Sequence, residues 1–509
     1  MAMPLVRLIQ DQKHITVSTQ TGISLMEILL KNGFDVPGEC GGMGTCGKCK
    51  VQVTGNSSAV SPVEREYLTT KQIAAGWRLA CYARVNDDCQ VELLNNPNNE
   101  DKKDLSPCTP EYLAVDLGTT SVVLGLLDSD GQIISRIAGD NPQCLYGSDV
   151  LTRLSYALQG DDNRDLLRRL VINMINHLLA GVDTSQVKVI SIVGNPAMIH
   201  LFVGADIRGL SVYPYRGEIE GPMMLTAKEA GLELPGHIPV YLPPGAGLYV
   251  GSDALAGAVS LLPQPNFLLI DLGTNAEIIA MTADKWLAVS AAAGPALEGA
   301  SIYQGMRAVP GAISDVDYID GQLKLQVMAG KLPTGICGSG LIKVIALLRE
   351  FGVIDDDGII NTQPALSIPV RTGCQGQEVI LYQDHYQTVV LTQEDVRQFL
   401  LAKAAVRVAV DTLISQLPEV NWQAICLAGA LGSSLSLNAL TDLGVLPNMP
   451  GVPLIAVGNS ALQGAARAAH DLAFRQQLEA AAVQVQVIEL ANQPGFQEAF
   501  LKQLSLASS

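Results

Sequence analysis

Four cysteines near the start of the chain have the residue type and spacing of iron–sulfur ligands. They follow the pattern Cys-x5-Cys-x2-Cys with one more cysteine 32 residues further on, and they are Cys40, Cys46, Cys49 and Cys81. Glycines fill the loop GECGGMGTCGKCK, so thiolates can converge there and backbone N–H groups can reach the sulfides. A zinc site is the alternative, although zinc knuckles usually pair two Cys-x2-Cys units and this loop has one.

A second chemical signal is the turn Asp-Leu-Gly-Thr, which occurs at residues 116–119 and again at 271–274. Each copy follows one apolar strand and leads into another. Glycine lets the backbone approach a phosphate, and threonine hydroxyls and main-chain N–H groups hold its oxygens. Asp116 and Asp271 end their strands, where they can hold Mg²⁺ through water or orient the attacking water. Two matched copies predict a duplicated fold that closes on one ATP, with phosphate contacts from Gly118, Thr119, Thr120, Gly273, Thr274 and Asn275.

The elements around the cysteines predict a small domain. Residues 5–10 and 14–19 have the pattern of a strand hairpin, and Ser24 begins a short apolar helix with Glu27 at the capping-box position. Roughly residues 3–95 resemble a 2Fe-2S ferredoxin, and this resemblance implies a β-grasp fold and a 2Fe-2S cluster on the four cysteines. The first gap of five residues is more similar to the adrenodoxin type than to the plant type, which has four.

The strands around the two phosphate turns resemble the ATPase superfamily of actin, hexokinase and the Hsp70 chaperones, over roughly residues 111–470. The resemblance implies a two-lobed, ribonuclease-H-like α/β domain with ATP in its cleft. It places the phosphate loops at 116–121 and 271–277 and the connecting helices at 251–261 and 459–469. It assigns the adenosine motif to residues 427–434, with Gly429, Gly432 and Ser433 as ligands. Gly338 and Gly340 in GICGSG either face the nucleotide or mark an ordinary strand-to-helix junction.

Composition limits the remaining possibilities. The chain has 509 residues and a net charge of −17, which argues against a nucleic-acid partner. No run of 18 apolar residues without a charge is present, so no membrane span is predicted. The N-terminus lacks the pattern of a signal peptide and cysteines read better as ligands and buried thiols than as disulfides, so we expect a cytoplasmic protein. The expected boundaries are a ferredoxin domain at 1–95, a linker at 96–110 and an ATPase domain of two lobes at 111–509.

Ferredoxin followed by this ATPase resembles the reductive activators of corrinoid proteins. The stretches GNPAMIHLF at 194–202 and AAGPALEG at 292–299 are similar to that family specifically. The resemblance implies ATP-dependent return of Co(II) corrinoid to Co(I) with an electron from the 2Fe-2S cluster. The implied partners are a corrinoid protein of a methyltransferase system and an upstream reductase. Some members carry a further domain between ferredoxin and ATPase, and the short linker here leaves no room for it.

The implied reaction is uphill, which explains a need for ATP. A gap of ~200 mV between donor and cobalt costs about 4.6 kcal/mol for one electron, and a nucleotide can offset it only by binding two protein states with different affinity. Three other functions fit the residues. They are activation of another low-potential enzyme, a kinase of the same superfamily fused to a ferredoxin, and a nucleotide-gated electron carrier without hydrolysis.

Overall fold

The computed structural model describes residues 3–10, 13–32, 34, 36, 47, 49–93, 109–147, 149–212, 217–261, 266–363, 368–373, 375–385, 387–429 and 437–507. The chain divides into two compact units. The first contains Met1–Asp104 together with Pro142–Tyr156, and the second contains Leu105–Asn141 and Ala157–Ser509.

The first unit is built on a five-stranded mixed sheet with short helices. In the described part of this unit the strands lie in the order β2-β1-β5-β3-β4. Its elements are β1 (Leu5–Gln10), β2 (Lys13–Ser18), α1 (Leu25–Lys31), β3 (Lys50–Ser57), α2 (Pro62–Tyr67), α3 (Thr70–Ala74), β4 (Trp77–Leu79), β5 (Val85–Glu92) and most of α4 (Val150–Ala157).

The predicted hairpin and first helix are confirmed. Strands β1 and β2 pair antiparallel, and β1 alternates exposed and buried residues so that Val6 and Leu8 face the core. Helix α1 begins after Ser24, whose hydroxyl accepts the N–H of Glu27 at 3.2 Å. The helix packs its apolar face into the same core as the sheet. This strand order with a helix across it is the predicted β-grasp fold.

The second unit contains two six-stranded sheets, one in each lobe. The first has the order β10-β11-β9-β6-β7-β8 and the second β22-β21-β12-β13-β14-β23 in the described residues. First-lobe elements are β6 (Tyr112–Leu117), β7 (Ser121–Leu127), β8 (Ile133–Asp140), α5 (Asp161–Leu179), β9 (Val189–Gly194), α6 (Pro196–Val203), α7 (Arg208–Ser211), β10 (Met223–Thr226), α8 (Ala227–Ala230), β11 (Pro239–Leu242) and α9 (Ser252–Ser260).

The second lobe repeats this design and adds to it. Its elements are β12 (Phe267–Leu272), β13 (Ala276–Met281), β14 (Trp286–Ala291), β15 (Ala312–Ile319), β16 (Gln322–Val327), β17 (Gly335–Ile336), α10 (Gly338–Glu350), β18 (Val370–Gly373), β19 (Gly376–Gln383), β20 (Thr388–Thr392), α11 (Gln393–Ser415), β21 (Ala424–Ala428), α12 (Leu437–Asp442), β22 (Leu454–Gly458), α13 (Ser460–His470), α14 (Leu472–Gln484), β23 (Gln486–Ile488) and α15 (Phe496–Lys502).

The two lobes share one pairing scheme, which confirms the predicted duplication. In each lobe the strand before the phosphate turn pairs antiparallel with the strand after it, as β6 with β7 and β12 with β13. The same strand pairs parallel with a later one on its other side, as β6 with β9 and β12 with β21. Each phosphate turn is therefore the tip of a central hairpin, at the equivalent end of the strands in its own sheet.

Two helices join the lobes at the positions that the resemblance implies. Helices α9 and α13 cross so closely that a Cβ on Gly464 would lie 2.4 Å from the backbone of Ala256. Both contribute to one apolar core with residues of both central sheets, such as Ala114 and Leu269. The lobes are thus joined through a tight crossing of small residues. Within the described residues, no helix combines the length and apolar character needed to cross a membrane.

Candidate functional site

Two of the predicted cluster ligands come together in the first unit. The Sγ atoms of Cys49 and Cys81 are 3.2 Å apart, which is too far for a disulfide bond between them. Cys49 is buried and Cys81 is half-buried. Cys40 and Cys46 lie outside the described residues. Two cysteine sulfurs this close together, one buried and one half-buried, fit one side of an iron–sulfur cluster.

A buried ion pair holds the strand that leads to Cys81. Arg78 in β4 donates from Nε to Glu64 at 2.8 Å and from Nη2 at 3.0 Å, and Glu64 also accepts the N–H of Leu79 at 3.1 Å. Burial acts to raise the pKa of Glu64, but the bonds from Arg78, Ser61 and Leu79 outweigh it and the net shift is downward. The carboxylate therefore stays charged and ties α2 to β4. Sequence analysis missed this pair, because 14 residues separate its members.

The first phosphate turn is held by residues at the starts of two helices, α6 and α13. Asp116, the penultimate residue of β6, accepts a hydrogen bond from the side-chain amide of Asn459 at 2.7 Å, across 343 residues of sequence. Asn459 also caps α13 by accepting the N–H of Leu462 at 2.7 Å. The amide of Asn195, at the start of α6, donates to the Thr119 hydroxyl at 2.9 Å. These bonds tie the turn to the starts of α6 and α13.

The second phosphate turn has its own support. The N–H of Gly273 donates to the carbonyl of Asn275 at 3.1 Å, and the Thr274 hydroxyl donates to Glu298 at 2.8 Å. Gly429 follows β21 with φ +98°, and a Cβ there would lie 2.4 Å from the Leu272 carbonyl and 3.1 Å from the Asp271 carboxylate. A side chain is excluded on both counts. The start of the predicted adenosine motif thus lies against the second phosphate turn, while Gly432 and Ser433 lie outside the described residues.

The acidic residues at this cleft influence each other. Burial, opposed by the bond from Asn459, raises the pKa of Asp116 to about 6. Burial, followed by the charges of Asp253, Asp116 and Glu298, raises the pKa of Asp271 to about 7. Burial and the charge of Asp116 raise the pKa of Asp253 to about 7. Burial is also the main reason that the pKa of Glu277 lies well above its ordinary value. Mutual repulsion among these carboxylates therefore favours a bound cation.

Sequence analysis did not find Asp253 or Glu298 as part of this cleft. Asp253 lies in the first turn of α9 in GSDALAG, and a carboxylate at a helix start usually indicates only capping. Its electrostatic coupling to Asp116 and Asp271 arises because the connecting helix begins between the two phosphate turns. No set of three or more His, Cys, Asp or Glu side chains in the described ranges could by itself hold a metal ion. Mg²⁺ commonly uses one or two carboxylates plus water and phosphate oxygens, so the donor set fits Mg²⁺ brought with a nucleotide.

The turn at Gly338 and Gly340 has a structural explanation. Helix α10 starts at Gly338, and a Cβ on Gly340 would lie 2.0 Å from the carbonyl of Ile313 in β15. Close packing of helix on strand therefore accounts for glycine at 340 without a ligand. A nucleotide contact for these two residues stays a prediction.

A cavity of about 330 Å³ lies in the first lobe beside Asn195. Its wall includes Gly251 and Ser252 at the start of α9, and His200. His200 Nδ1 lies 2.6 Å from the Pro196 carbonyl and Nε2 accepts the N–H of Ile219 at 3.2 Å. Burial lowers the pKa of His200. The ring is therefore neutral with both nitrogens used, and it serves the wall of the cavity rather than proton transfer.

The fold and these sites define a class of protein, a ferredoxin-type domain joined to a two-lobed actin-like ATPase domain. Comparison with protein-family models gives three matches in chain order. They are a 2Fe-2S iron–sulfur cluster binding domain at residues 8–86, the RACo middle region at 112–262, and the C-terminal ASKHA domain of RACo at 265–509. The N-terminal domain is thus a 2Fe-2S domain, and the large domain is of a nucleotide-binding kind.

Similar proteins agree with these models. The solved structure of a reductive activator for a corrinoid, iron–sulfur protein has a TM-score of 0.72 and 26% identity, and the match covers 99% of this chain and 98% of that one. The corrinoid activation enzyme RamQ of Eubacterium limosum is 31% identical over 72% of this chain and 65% of RamQ. A Co(II) methylated amine-specific corrinoid protein reductase of Methanosarcina barkeri is 26% identical over 69% of this chain and 68% of that protein. The chain spans about two thirds of these curated relatives, and with RACo models matched over residues 112–262 and 265–509 it belongs to the RACo family.

Proposed function

We propose that this protein is an ATP-dependent reductive activator, which returns the Co(II) corrinoid of a partner methyltransferase-system protein to Co(I). The observation that carries the proposal is the near end-to-end match to the reductive activator structure. Two relatives named for corrinoid activation and corrinoid reduction support the same reaction. One electron reduces the cobalt, and water cleaves ATP to ADP and phosphate in the same cycle.

The residues of the cleft suggest how ATP is held and cleaved. Gly118, Thr119 and Thr120 in the first turn, and Gly273, Thr274 and Asn275 in the second, would hold phosphate oxygens from opposite lobes. Asp116 is kept in place by Asn459 at 2.7 Å and would either hold Mg²⁺ through water or orient the attacking water. Asp271 takes the matching position on the other lobe. A Mg²⁺ ion would neutralise these carboxylates, whose pKa values are raised by burial and mutual repulsion.

The electron is stored in the first unit. Cys40, Cys46, Cys49 and Cys81 would hold a 2Fe-2S cluster, which supplies storage for one electron when bound. The buried Glu64–Arg78 pair keeps β4 and hence the Cys81 thiol in position. We further propose an upstream reductase as electron donor, and the cytoplasm as location because cysteines at this spacing read better as metal ligands than as disulfides.

One assay tests the activity. The full chain with its cluster reconstituted is mixed with a candidate Co(II) corrinoid protein, a reductant and ATP, and the Co(I) absorption is followed. We expect Co(I) to form over many turnovers with ATP. Replacing ATP by a non-hydrolysable analogue should stop sustained turnover, because each cycle must release the partner. Equal rates with ATP and with the analogue would favour a nucleotide-gated carrier instead.

Matched variants make this assay specific. Asp116→Ala should lose both hydrolysis and Co(I) formation while keeping the cluster absorption. Asp284→Ala removes an exposed carboxylate of the second lobe and should behave like the parent. A parent-like rate for Asp116→Ala would contradict the proposed roles in the cleft.

Phosphorylation of a small molecule is the second candidate, and the cavity beside Asn195 is the observation that favours it. Its one histidine is already bonded at both ring nitrogens, so among the lining side chains Glu220 is the remaining candidate base. Incubation with ATP and a panel of sugars separates the two reactions. Release of inorganic phosphate supports hydrolysis, whereas a phosphorylated sugar would support the kinase.

A further inference from the structure

Residues Pro142–Tyr156 belong to the first unit although the second unit supplies the chain on both sides of them. We call this stretch the 142–156 segment. Leu145 packs against the core of the first unit. The rings of Tyr146 and Tyr156 lie 4.8 Å apart, and the charge of Glu27 in α1 acts on both phenols. Helix α1 and the 142–156 segment are therefore parts of one packed structure.

The 142–156 segment is braced internally. Arg153 is fully buried and donates from Nε to the Gly147 carbonyl at 2.8 Å and from Nη2 to the Cys144 sulfur at 3.1 Å. A third bond reaches Gln143 at 3.4 Å. A buried guanidinium that spans both halves of a short segment makes the segment move as one piece, because breaking any bond leaves a buried charge poorly solvated.

The residue just before this segment is bonded to the first phosphate turn. Asn141 is buried, its backbone N–H donates to the Thr120 carbonyl at 2.9 Å, and its side-chain amide donates to the Gly118 carbonyl at 2.8 Å. These two carbonyls bracket Thr119. Any rearrangement of the turn on binding phosphate therefore pulls directly on Asn141.

The second lobe reaches the same point. Arg307 forms an ion pair with Asp140 and donates to the Thr120 carbonyl at 3.3 Å. Arg307 lies just before strand β15, which packs in the core of the second lobe. Relative movement of the lobes thus acts on residues 140 and 141, immediately before the segment that packs with α1.

We propose that the 142–156 segment transmits the nucleotide state of the ATPase cleft to the ferredoxin unit. Phosphate binding and lobe closure move Asp140 and Asn141, and the braced segment carries that movement to α1 of the domain that bears the cluster cysteines. A nucleotide can do this only if it binds the two arrangements with different affinity. The inference rests on the proposed ATP site, and it adds a defined covalent route between hydrolysis and the electron-carrying domain.

Hydrogen–deuterium exchange on the full chain tests the route, with and without ADP or a non-hydrolysable ATP analogue. In the parent, we expect nucleotide to change the exchange rate of residues 142–156 and of α1 by about fivefold or more. Leu145→Ala should keep nucleotide binding and the change at Asn141, but lose most of the change at α1. Leu151→Ala is the matched control, because Leu151 lies in the same segment with 72% of its surface exposed, and it should respond like the parent.

Asn141→Ala gives an independent arm, since it removes the amide bond to the phosphate turn. Its response to nucleotide should be lost both in the segment and in α1. If this variant melts early, the Leu145 and Leu151 pair decides the question alone. Calorimetry of nucleotide binding separates the two proposals. If nucleotide binds but the exchange rate of α1 does not change, or if Leu145→Ala and Leu151→Ala respond equally, only the proposed route is wrong. If the parent protein binds no nucleotide, the proposed ATP site is wrong as well.

Discussion

The substitution Asp271→Asn should abolish ATP hydrolysis and at the same time stabilise the nucleotide-free protein at alkaline pH. Burial and the charges of Asp253, Asp116 and Glu298 raise the pKa of Asp271 from 3.8 to about 7. Between pH 4 and 7 the folded protein therefore holds a proton that the unfolded chain has released. The free energy of unfolding falls as pH rises through this window and is level above it.

The size of the effect follows from the shift. Three pH units correspond to about 4 kcal/mol at 1.36 kcal/mol per unit. Asp271 is half-buried and keeps some contact with solvent in the cleft, so screening reduces this ceiling to about 1–2 kcal/mol. An asparagine carries no charge to desolvate, so Asp271→Asn should recover that amount at pH 8 and almost none at pH 4. For a domain of this size the gain corresponds to a Tm about 1–2 °C higher.

The assay is a set of thermal melts of parent and variant at pH 4.5, 6 and 8 without nucleotide, with phosphate release measured at pH 8. Asp284→Asn is the control, because Asp284 is an exposed carboxylate of the same lobe, and its melts should follow the parent. A Tm difference for Asp271→Asn that is equal at all three pH values would refute the electrostatic argument. Retained hydrolysis would refute the role of this carboxylate at the phosphates.

Three further predictions concern single side chains. Cys81→Ser should lose the absorption of a 2Fe-2S cluster, whereas Cys89→Ser, a buried cysteine outside the ligand spacing, should keep it; an unchanged spectrum for Cys81→Ser would remove it from the ligand set. Asn459→Ala removes the hydrogen bond that lowers the pKa of Asp116, so that pKa should rise. The acid limb of the pH profile of ATP hydrolysis should then move to higher pH, and an unmoved limb would contradict the catalytic role of Asp116. Glu64→Gln leaves a buried arginine without its counter-charge and should destabilise the first unit by about 3–5 kcal/mol. A denaturant titration followed by cluster absorption measures this loss, and a midpoint equal to that of the parent would contradict the buried ion pair.

Local chemistry alone was enough to predict most of the elements. The strands on either side of each phosphate turn and the helix cap at Ser24 lie where the residue pattern predicts them. These features depend on neighbours within a few residues, through alternation of apolar side chains, turn residues and caps. The repeated Asp-Leu-Gly-Thr turn also predicted the duplication, because one sequence in two copies implies one local structure in two places.

The arrangement of the cleft was decided by the tertiary structure. Asn459 reaches Asp116 from 343 residues away, and Asp253 joins the acidic cleft only because helix α9 starts between the two phosphate turns. The 142–156 segment lies within the stretch that sequence assigns to the ATPase domain, yet it packs with the first unit. No local pattern records such pairings, since they arise when strands distant in sequence share a sheet and two connecting helices cross. The residue types that could do chemistry were therefore evident from sequence, while their partners, their pKa values and the route between the two units came from the fold.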